Sequence, residues 1–201
     1  MAGINLVKGQ KIDLTKGNAG LSNVIVGLGW DPIEASRGFF GVKKQANVDC
    51  DASALLLNED GKLTKKGNLI CFHNKQSPCN SVIHSGDNLT GEGDGDDEQI
   101  VVDFSKIPAH IQRIGITVTI YDYETRAQNF GQVSNAFVRV VDASNDREVL
   151  RFDLGEDFST ETAVVFCEFY RNGADWKFQA IGSGFAGGLS ALCRNYGLDA
   201  Q

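Results

Sequence analysis

The stretch "AFVRVVDASNDREVLRFDL", residues 136–154, contains two short segments rich in β-branched and aromatic residues. A cluster of Ser, Asn and Asp residues separates the two segments. Val and Phe fit the pleated surface of a sheet, whereas Asn and Asp favour turns. The pattern therefore predicts two strands that are joined by a turn.

The same pattern recurs in both directions along the chain, at residues 4–14, 23–30, 53–58, 68–74, 113–122, 162–171 and 176–182. The chain has only three prolines, and hardly any segment keeps the 3.6-residue period of a helix. We therefore expect a mostly β protein, an antiparallel β-sandwich, with short helices at residues 105–112 and 189–197. Since no linker-like or low-complexity stretch divides the chain, residues 1–201 are predicted to form a single domain.

Negative charge is concentrated in one segment, "GDNLTGEGDGDDE", residues 86–98, which holds six carboxylates and four glycines. The whole chain has 19 basic and 26 acidic residues, and leaving this segment out gives 19 and 20. Acidity that is this local suggests a cation or a basic partner. A nucleic-acid partner is not expected, because the chain has no clustered Lys/Arg face for phosphates.

Other features of the sequence bear on where the protein works. The N-terminus has no continuous apolar segment of the kind found in signal peptides, and the longest apolar runs are too short to span a bilayer. The five cysteines form no CxxC pair, and most lie in apolar stretches. This usage favours reduced, buried thiols in a cytoplasmic protein, although a Cys71–Cys79 bridge stays open as a disfavoured alternative.

The acidic segment has the composition of a metal-binding loop. Hard cations such as Ca²⁺ take six to eight oxygen ligands from carboxylates, amide side chains and backbone carbonyls, and glycines allow the sharp turns that bring such ligands together. The EF-hand pattern is not met, because Leu89 and Gly91 stand at ligand positions and Glu92 replaces the turn glycine. Composition alone leaves two possibilities, a cation site and a solvated acidic loop.

A second acidic pair, Asp49 and Asp51, has the i,i+2 spacing that places both side chains on one face of a strand. Either this face meets solvent, or it packs against the acidic segment with a cation relieving the repulsion. Asp31 adds one more carboxylate after an apolar run, and Asn74 adds an amide oxygen after another.

Catalytic and nucleotide-binding patterns are weak. The stretch "GSGFAGG", residues 182–188, matches G-x-G-x-x-G, but only 13 residues follow Gly188. A dinucleotide-binding unit needs a second parallel strand and an acidic residue about 20 positions later, so these glycines are interpreted as turn and packing residues. The three histidines and the serines form no recognisable catalytic motif, and no enzymatic activity is predicted.

Several motifs, taken in order, resemble the TerD family of tellurium-resistance and general-stress proteins. They are "VGLGWD" (26–31), "DCDAS" (49–53), the acidic segment 86–98, "VTIYD" (118–122), "QNFGQVSNAFVRVVD" (128–142), "FDLGEDFSTETAVVF" (152–166) and "EFYRNGADWKFQAIGSGFAGGL" (168–189). The resemblance implies a cytoplasmic β-sandwich that binds Ca²⁺, has no established enzymatic activity and is linked to tolerance of tellurite and other stresses. It also implies partners among other tellurium-resistance proteins at the membrane.

The resemblance implies calcium ligands from the aspartate pair and the acidic loop. Asp31 and Asn74 are added to these as further oxygen donors. The expected metal-binding residues are therefore Asp31, Asp49, Asp51, Asn74, Asp87, Asn88, Thr90, Gly91, Glu92, Asp94, Asp96, Asp97 and Glu98. The eight carboxylates of the pair and the loop exceed the charge of one Ca²⁺, so more than one ion is expected.

The chain departs from the family pattern at three positions. Leu89 stands where Arg is usual, Cys50 replaces an apolar residue, and His73 stands where Asn is usual. A ligand role for His73 is disfavoured because imidazole is a poor partner for Ca²⁺. The alternative function is an enzyme or a small-molecule or phosphate binder that uses the bound calcium as a Lewis acid.

Overall fold

The computed structural model describes residues 3–32, 48–85, 95–155 and 158–198. These residues form twelve strands: β1 (Ile4–Leu6), β2 (Lys11–Asp13), β3 (Asn23–Pro32), β4 (Cys50–Leu57), β5 (Leu69–Ile70), β6 (Val82–His84), β7 (Glu98–Asp103), β8 (Arg113–Ile120), β9 (Val133–Asp142), β10 (Arg147–Asp153), β11 (Ala163–Asn172) and β12 (Asp175–Phe185). They also form two α-helices, α1 (Tyr123–Arg126) and α2 (Gly188–Asn195), and 3₁₀ turns at Lys66–Asn68, Phe104–Lys106 and Phe130–Gln132.

The strands make two six-stranded sheets. The first sheet has the order β1-β10-β9-β3-β7-β6, and the second has the order β2-β12-β11-β8-β4-β5. The predicted mostly β architecture is confirmed. One pairing departs from the antiparallel prediction, because β1 runs parallel to β10 before the chain continues to β2 in the second sheet.

Alternation along the strands separates the core from the surface. In β9 Val138 and Val140 are buried in the core, while Phe137 and Arg139 between them are only partly buried. β4 has no exposed residue because both of its faces are covered. Its Ala52, Ala54 and Leu56 join the main core, whereas Leu55 and Leu57 pack in a second cluster that includes Leu192 of α2 and residues of β11.

The differences from the sequence prediction have local causes. The segment 4–14 is split into β1 and β2, which belong to different sheets. β7 was not predicted, because its first residue, Glu98, ends the acidic segment and hides the start of the strand. The expected helix at 105–112 is wrong, since only a 3₁₀ turn at Phe104–Lys106 forms. The helix predicted at 189–197 is confirmed as α2.

The glycine-rich stretch 182–188 joins the end of β12 to α2, and a nucleotide-binding role finds no support there. Both neighbours of β12 are antiparallel, unlike the parallel strands of a dinucleotide-binding unit. The backbone N–H groups of Gly187 and Gly188 donate to Thr162 Oγ1, at 3.0 and 2.9 Å. The first N–H groups of α2 are therefore satisfied within the protein.

Replacing Gly184 by Ala should destabilise the fold, because a Cβ there would overlap Glu161 and lie 2.7 Å from Phe158 Cδ1. Overpacking of this kind costs about 1–3 kcal/mol. The control is Gly115→Ala in β8, where a Cβ would meet its nearest atoms at 3.8 Å. Urea unfolding measures both variants, and equal stability of the two would contradict the packing role of Gly184.

Candidate functional site

Glu98 connects the two sheets. It begins β7 in the first sheet and is paired with Leu28 of β3. Its side chain is buried, with 1% of the residue exposed, and Oε2 accepts a hydrogen bond from the backbone N–H of Ala52 in β4. β5 pairs with β4 only at Ala54 and Leu55, so it does not reach Ala52. The carboxylate therefore satisfies a backbone donor of the other sheet.

His84 lies beside this carboxylate. It is on β6, and its Nε2 atom lies 3.4 Å from Glu98 Oε2, with neither side chain exposed. Neither ring nitrogen of His84 makes a hydrogen bond with good geometry to another described residue. The sequence analysis did not select this residue, although the alternation of Val82, Ile83 and His84 carries the signal for an inward side chain.

Asp49 and Asp51 are buried at the start of β4, with 7% and 6% of each residue exposed. Cys50 lies between them and belongs to the core. Burial raises the pKa of the Cys50 thiol well above its usual value, and the negative charges of Asp51, Asp49, Glu98 and Asp97 raise it further. Four of the predicted ligands therefore lie close enough to Cys50 for their charges to act on its thiol.

Arg126 makes an ion pair with this group. Its Nη1 atom lies 3.3 Å from Asp49 Oδ2, and its guanidinium carbon lies 5.3 Å from the ring centroid of Tyr121. The helix that carries Arg126, α1, has left-handed residues at both ends, Asp122 and Ala127. A four-residue helix with such ends has no periodic sequence signal, so this contact was not predicted.

Asp97 is held by an irregularity in β3. The pairing of β3 with β9 shifts register between Gly29 and Asp31. At this bulge the Trp30 N–H donates to Asp97 Oδ2 at 2.8 Å, and the Asp97 N–H donates to the Leu28 carbonyl at 2.8 Å. Bulges commonly redirect residues next to functional sites.

Asp31 lies near Asp97 at a small cavity of about 220 Å³, which Asn135 and Gly95 also line. Asp31 Oδ2 accepts a hydrogen bond from Asn135 Nδ2 at 2.8 Å. This cavity is a second place where predicted ligands come together.

The Asp96 carboxylate binds an arginine of β9, Arg139. Its two oxygens accept hydrogen bonds from Arg139 Nε and Nη2, at 2.7 and 3.0 Å, and Oδ2 also accepts from Gln99. The bonds from Asp96 raise the pKa of the Arg139 guanidinium. A Cβ at Gly27 would overlap this carboxylate, so the glycine leaves room for it.

Asn74 has a local structural role. Its Nδ2 atom donates to the Leu69 carbonyl at 2.6 Å and more weakly to that of Gly67, and its backbone closes a turn with Cys71. Asn74 thus holds together the segment that follows β5.

The remaining predicted ligands lie outside the described residues: Asp87, Asn88, Thr90, Gly91, Glu92 and Asp94. Within the described ranges, no three His, Cys, Asp or Glu side chains are grouped so that they could hold a metal ion.

The comparisons with known proteins agree with the motifs at this site. A family model described as the TerD domain matches residues 1–196. The chain belongs to the TerD family. Tellurium resistance protein TerD of Serratia marcescens is 46% identical over 98% of this chain and 99% of its own length. General stress protein 16U of Bacillus subtilis is 50% identical over 97% of each chain.

A solved structure supports the TerD fold. It is the crystal structure of a homologue of telluride resistance protein (TerD) from Streptomyces coelicolor A3(2), with a TM-score of 0.64 and 25% identity. The match covers 87% of this chain and 96% of that one. The chain is thus a TerD protein of the tellurium-resistance and general-stress type.

The structure bears on two further expectations, which concern a disulfide bond and membrane-spanning helices. All five cysteines are free, so the Cys71–Cys79 bridge is not formed. Across the described ranges, none of the helices has the length and apolarity needed to cross a membrane.

A larger cleft opens beside Asp51, on the face of the second sheet that α2 packs against. It has a volume of about 700 Å³, and its lining includes Asp51, Thr119, Tyr123 and Arg194. We call it the Asp51 cleft.

Asp96→Asn should lower the free energy of unfolding by about 1.5 kcal/mol, because it weakens charge-assisted bonds to a partly exposed arginine. A double-mutant cycle with Arg139→Gln in urea unfolding measures the coupling. The loss should be the same in chelator and in Ca²⁺. A loss that appears only in Ca²⁺ would contradict the assignment of Asp96 to Arg139.

Proposed function

We propose that this TerD protein is a calcium-binding stress-response protein that acts in the cytoplasm through protein partners rather than by catalysis. Membership of the tellurium-resistance and general-stress family supplies the stress-response part. The calcium part is supported chiefly by one observation: Glu98 binds the backbone N–H of Ala52, which brings Asp97 and Glu98 to the start of β4, where Asp49 and Asp51 lie.

Such a grouping favours a bound cation on physical grounds. Three of the four residues, Asp49, Asp51 and Glu98, are less than a tenth exposed. Two like charges 4 Å apart repel by about 4 kcal/mol at an effective dielectric constant of 20. Burial also removes the water that would otherwise solvate each charge. A divalent cation offsets both costs.

Calcium suits this region better than magnesium. Mg²⁺ requires nearly octahedral geometry and retains its water, whereas Ca²⁺ accepts larger and less regular sets of oxygens. The buried aspartates and the glycine-rich acidic segment offer such a set. The proposed ligands are therefore drawn from Asp49, Asp51 and the segment 86–98.

More than one ion is part of the proposal. Asp31 and Asp97 line a cavity of their own, with the amide of Asn135, with Gly95, and with Arg151, whose guanidinium pairs with Asp153. We leave Asp96 out of the ligand set, because both of its carboxylate oxygens bind Arg139. Asn74 stays in the set, since only its side-chain nitrogen is used by the turn after β5.

The alternative, a phosphate binder or enzyme that uses calcium as a Lewis acid, requires a receptive cavity beside the metal. The Asp51 cleft is such a cavity by position, but its described lining includes Asp51, Asp122 and Glu124 and a single arginine, Arg194. The charges of these described residues disfavour a phosphate.

Calcium should raise the melting temperature of the folded protein and magnesium should raise it much less. A ligand that binds only the folded state raises the free energy of unfolding by RT ln(1 + [L]/Kd), roughly 2.7 kcal/mol at a hundredfold excess of ligand over Kd. Thermal unfolding in chelator, in millimolar Mg²⁺ and in millimolar Ca²⁺ measures the effect. Equal shifts with the two cations, or no shift with either, would contradict the proposal.

The double variant Asp49→Asn with Asp51→Asn should lose most of the calcium-induced shift. The readout is the difference between calcium and chelator for each protein, so a general loss of stability in the variant cancels. Asp60→Asn with Asp146→Asn removes the same charge from two exposed positions and should keep the full shift. If both double variants respond alike, the aspartate pair is not part of the site.

A further inference from the structure

The Asp51 cleft has the size of a small-molecule site. Its volume of about 700 Å³ falls within the range of about 300–1,000 Å³ that is typical of ligand pockets. It lies between the end of β8 and the following α1, the residues after β5, and α2. The family relationship does not explain why this cleft is present.

The floor of the cleft is polar and buried. Asp51 of β4 and Thr119 of β8 are direct cross-strand partners, with 6% and 4% of each residue exposed. The next pair on this face, Ser53 and Thr117, is also polar and fully buried, and the face becomes apolar only at Leu55 and Leu57, which pack with α2.

Thr119 supplies an independent indication of a ligand. It lines the cleft, and its hydroxyl makes no hydrogen bond to any residue in the described part of the chain. Unlike the fully buried polar atoms that lack a partner, this hydroxyl is open to the cleft. A ligand, or water held with it, that occupies the cleft would satisfy this hydroxyl.

The walls of the cleft are aromatic. Phe72, Tyr121 and Tyr123 contribute rings, and the first two meet edge to face with centroids 6.2 Å apart. Tyr123 packs over the start of α2, where a Cβ at Gly188 would lie 2.7 Å from its Cε1 atom. Aromatic faces attract cations, and the Tyr121 ring already lies against the Arg126 guanidinium.

The charged groups of the cleft are mostly acidic. Asp51 lies on the floor, and the exposed Asp122 and Glu124 lie at the α1 side. Among the lining residues that the structure describes, Arg194 is the one arginine, and His73 is exposed at the edge. Aromatic rings together with an excess of carboxylates match a positively charged organic group.

We propose that the Asp51 cleft binds a small organic cation, an ammonium or guanidinium group on an apolar stem. Asp122 and Glu124 supply the opposite charge, the aromatic walls contact the stem and the cationic head, and the Thr119 hydroxyl is satisfied at the floor. The same chemistry is offered by a free amine and by a Lys or Arg side chain of a peptide.

Titration by nuclear magnetic resonance tests this site with four probes: butylguanidinium, butylammonium, neutral butanol and anionic butyrate. Millimolar Ca²⁺ is present throughout, so the Asp49 and Asp51 region has the same state in every experiment. Both cations should shift the signals of Thr119 and Tyr123 in a saturable manner, and butanol and butyrate should not. Binding of butyrate, or of none of the probes, would overturn the proposal.

A capped Gly-Arg-Gly peptide distinguishes the two possible sources of the cation, a free amine and a protein side chain. Binding at least as tight as that of butylguanidinium supports a protein side chain as the natural ligand, and at least tenfold weaker binding supports a free amine. Either result keeps the organic-cation site.

The variant Asp122→Asn with Glu124→Gln should bind both organic cations at least tenfold more weakly. Asn tolerates the left-handed backbone at position 122, where φ is 49°. The matched control is Asp146→Asn with Glu59→Gln, which removes an exposed left-handed aspartate and an exposed glutamate outside the cleft lining. Equal affinity of the two double variants would overturn the proposal.

Discussion

The hydrogen bond from the Ala52 N–H to the Glu98 carboxylate is the contact on which the acidic end of the sandwich depends. It joins β7 of the first sheet to β4 of the second, and the carboxylate is buried. A buried carboxylate without such a donor carries a large desolvation cost. The bond therefore fixes where Glu98, the last residue of the acidic segment, lies relative to β4.

Different tertiary partners then separate the neighbouring acids. Asp96, Asp97 and Glu98 are consecutive, yet Asp96 binds Arg139, Asp97 binds the Trp30 N–H at the bulge of β3, and Glu98 lies between the sheets. One acidic stretch thus contributes to three different environments. Two of these environments hold other predicted ligands, which is the physical basis for proposing more than one calcium ion.

The Asp51 cleft is connected to the same region. Asp51 lies one residue before Ala52, whose N–H binds Glu98, and it also forms the floor of the cleft. A calcium ion bound at Asp51 would reduce the negative charge of the floor, so the proposed metal site and the proposed organic-cation site are expected to influence each other. Asp122 and Glu124 lie outside the proposed ligand set, and they can be changed without altering it.

Much of the fold could be predicted from the sequence, because strands such as β9 and β12 are marked by alternation and flanking turn residues. β7 was missed because its first residue, Glu98, is charged and buried, whereas charged residues usually mark the exposed positions of a strand. The separation of Asp96 from Asp97 also could not be predicted, since it depends on the bulge of β3 and on Arg139, which is 43 residues away in the chain. Tertiary contacts of this kind leave no local sequence signal.

The most direct test of the calcium proposal is a crystal structure of this protein grown with Ca²⁺, with anomalous difference density used to locate the ion. The account predicts a peak about 2.3–2.6 Å from carboxylate oxygens of Asp49 or Asp51 and from oxygens of the segment 86–98. The absence of such a peak at saturating Ca²⁺, or peaks only at exposed carboxylates elsewhere, would contradict it.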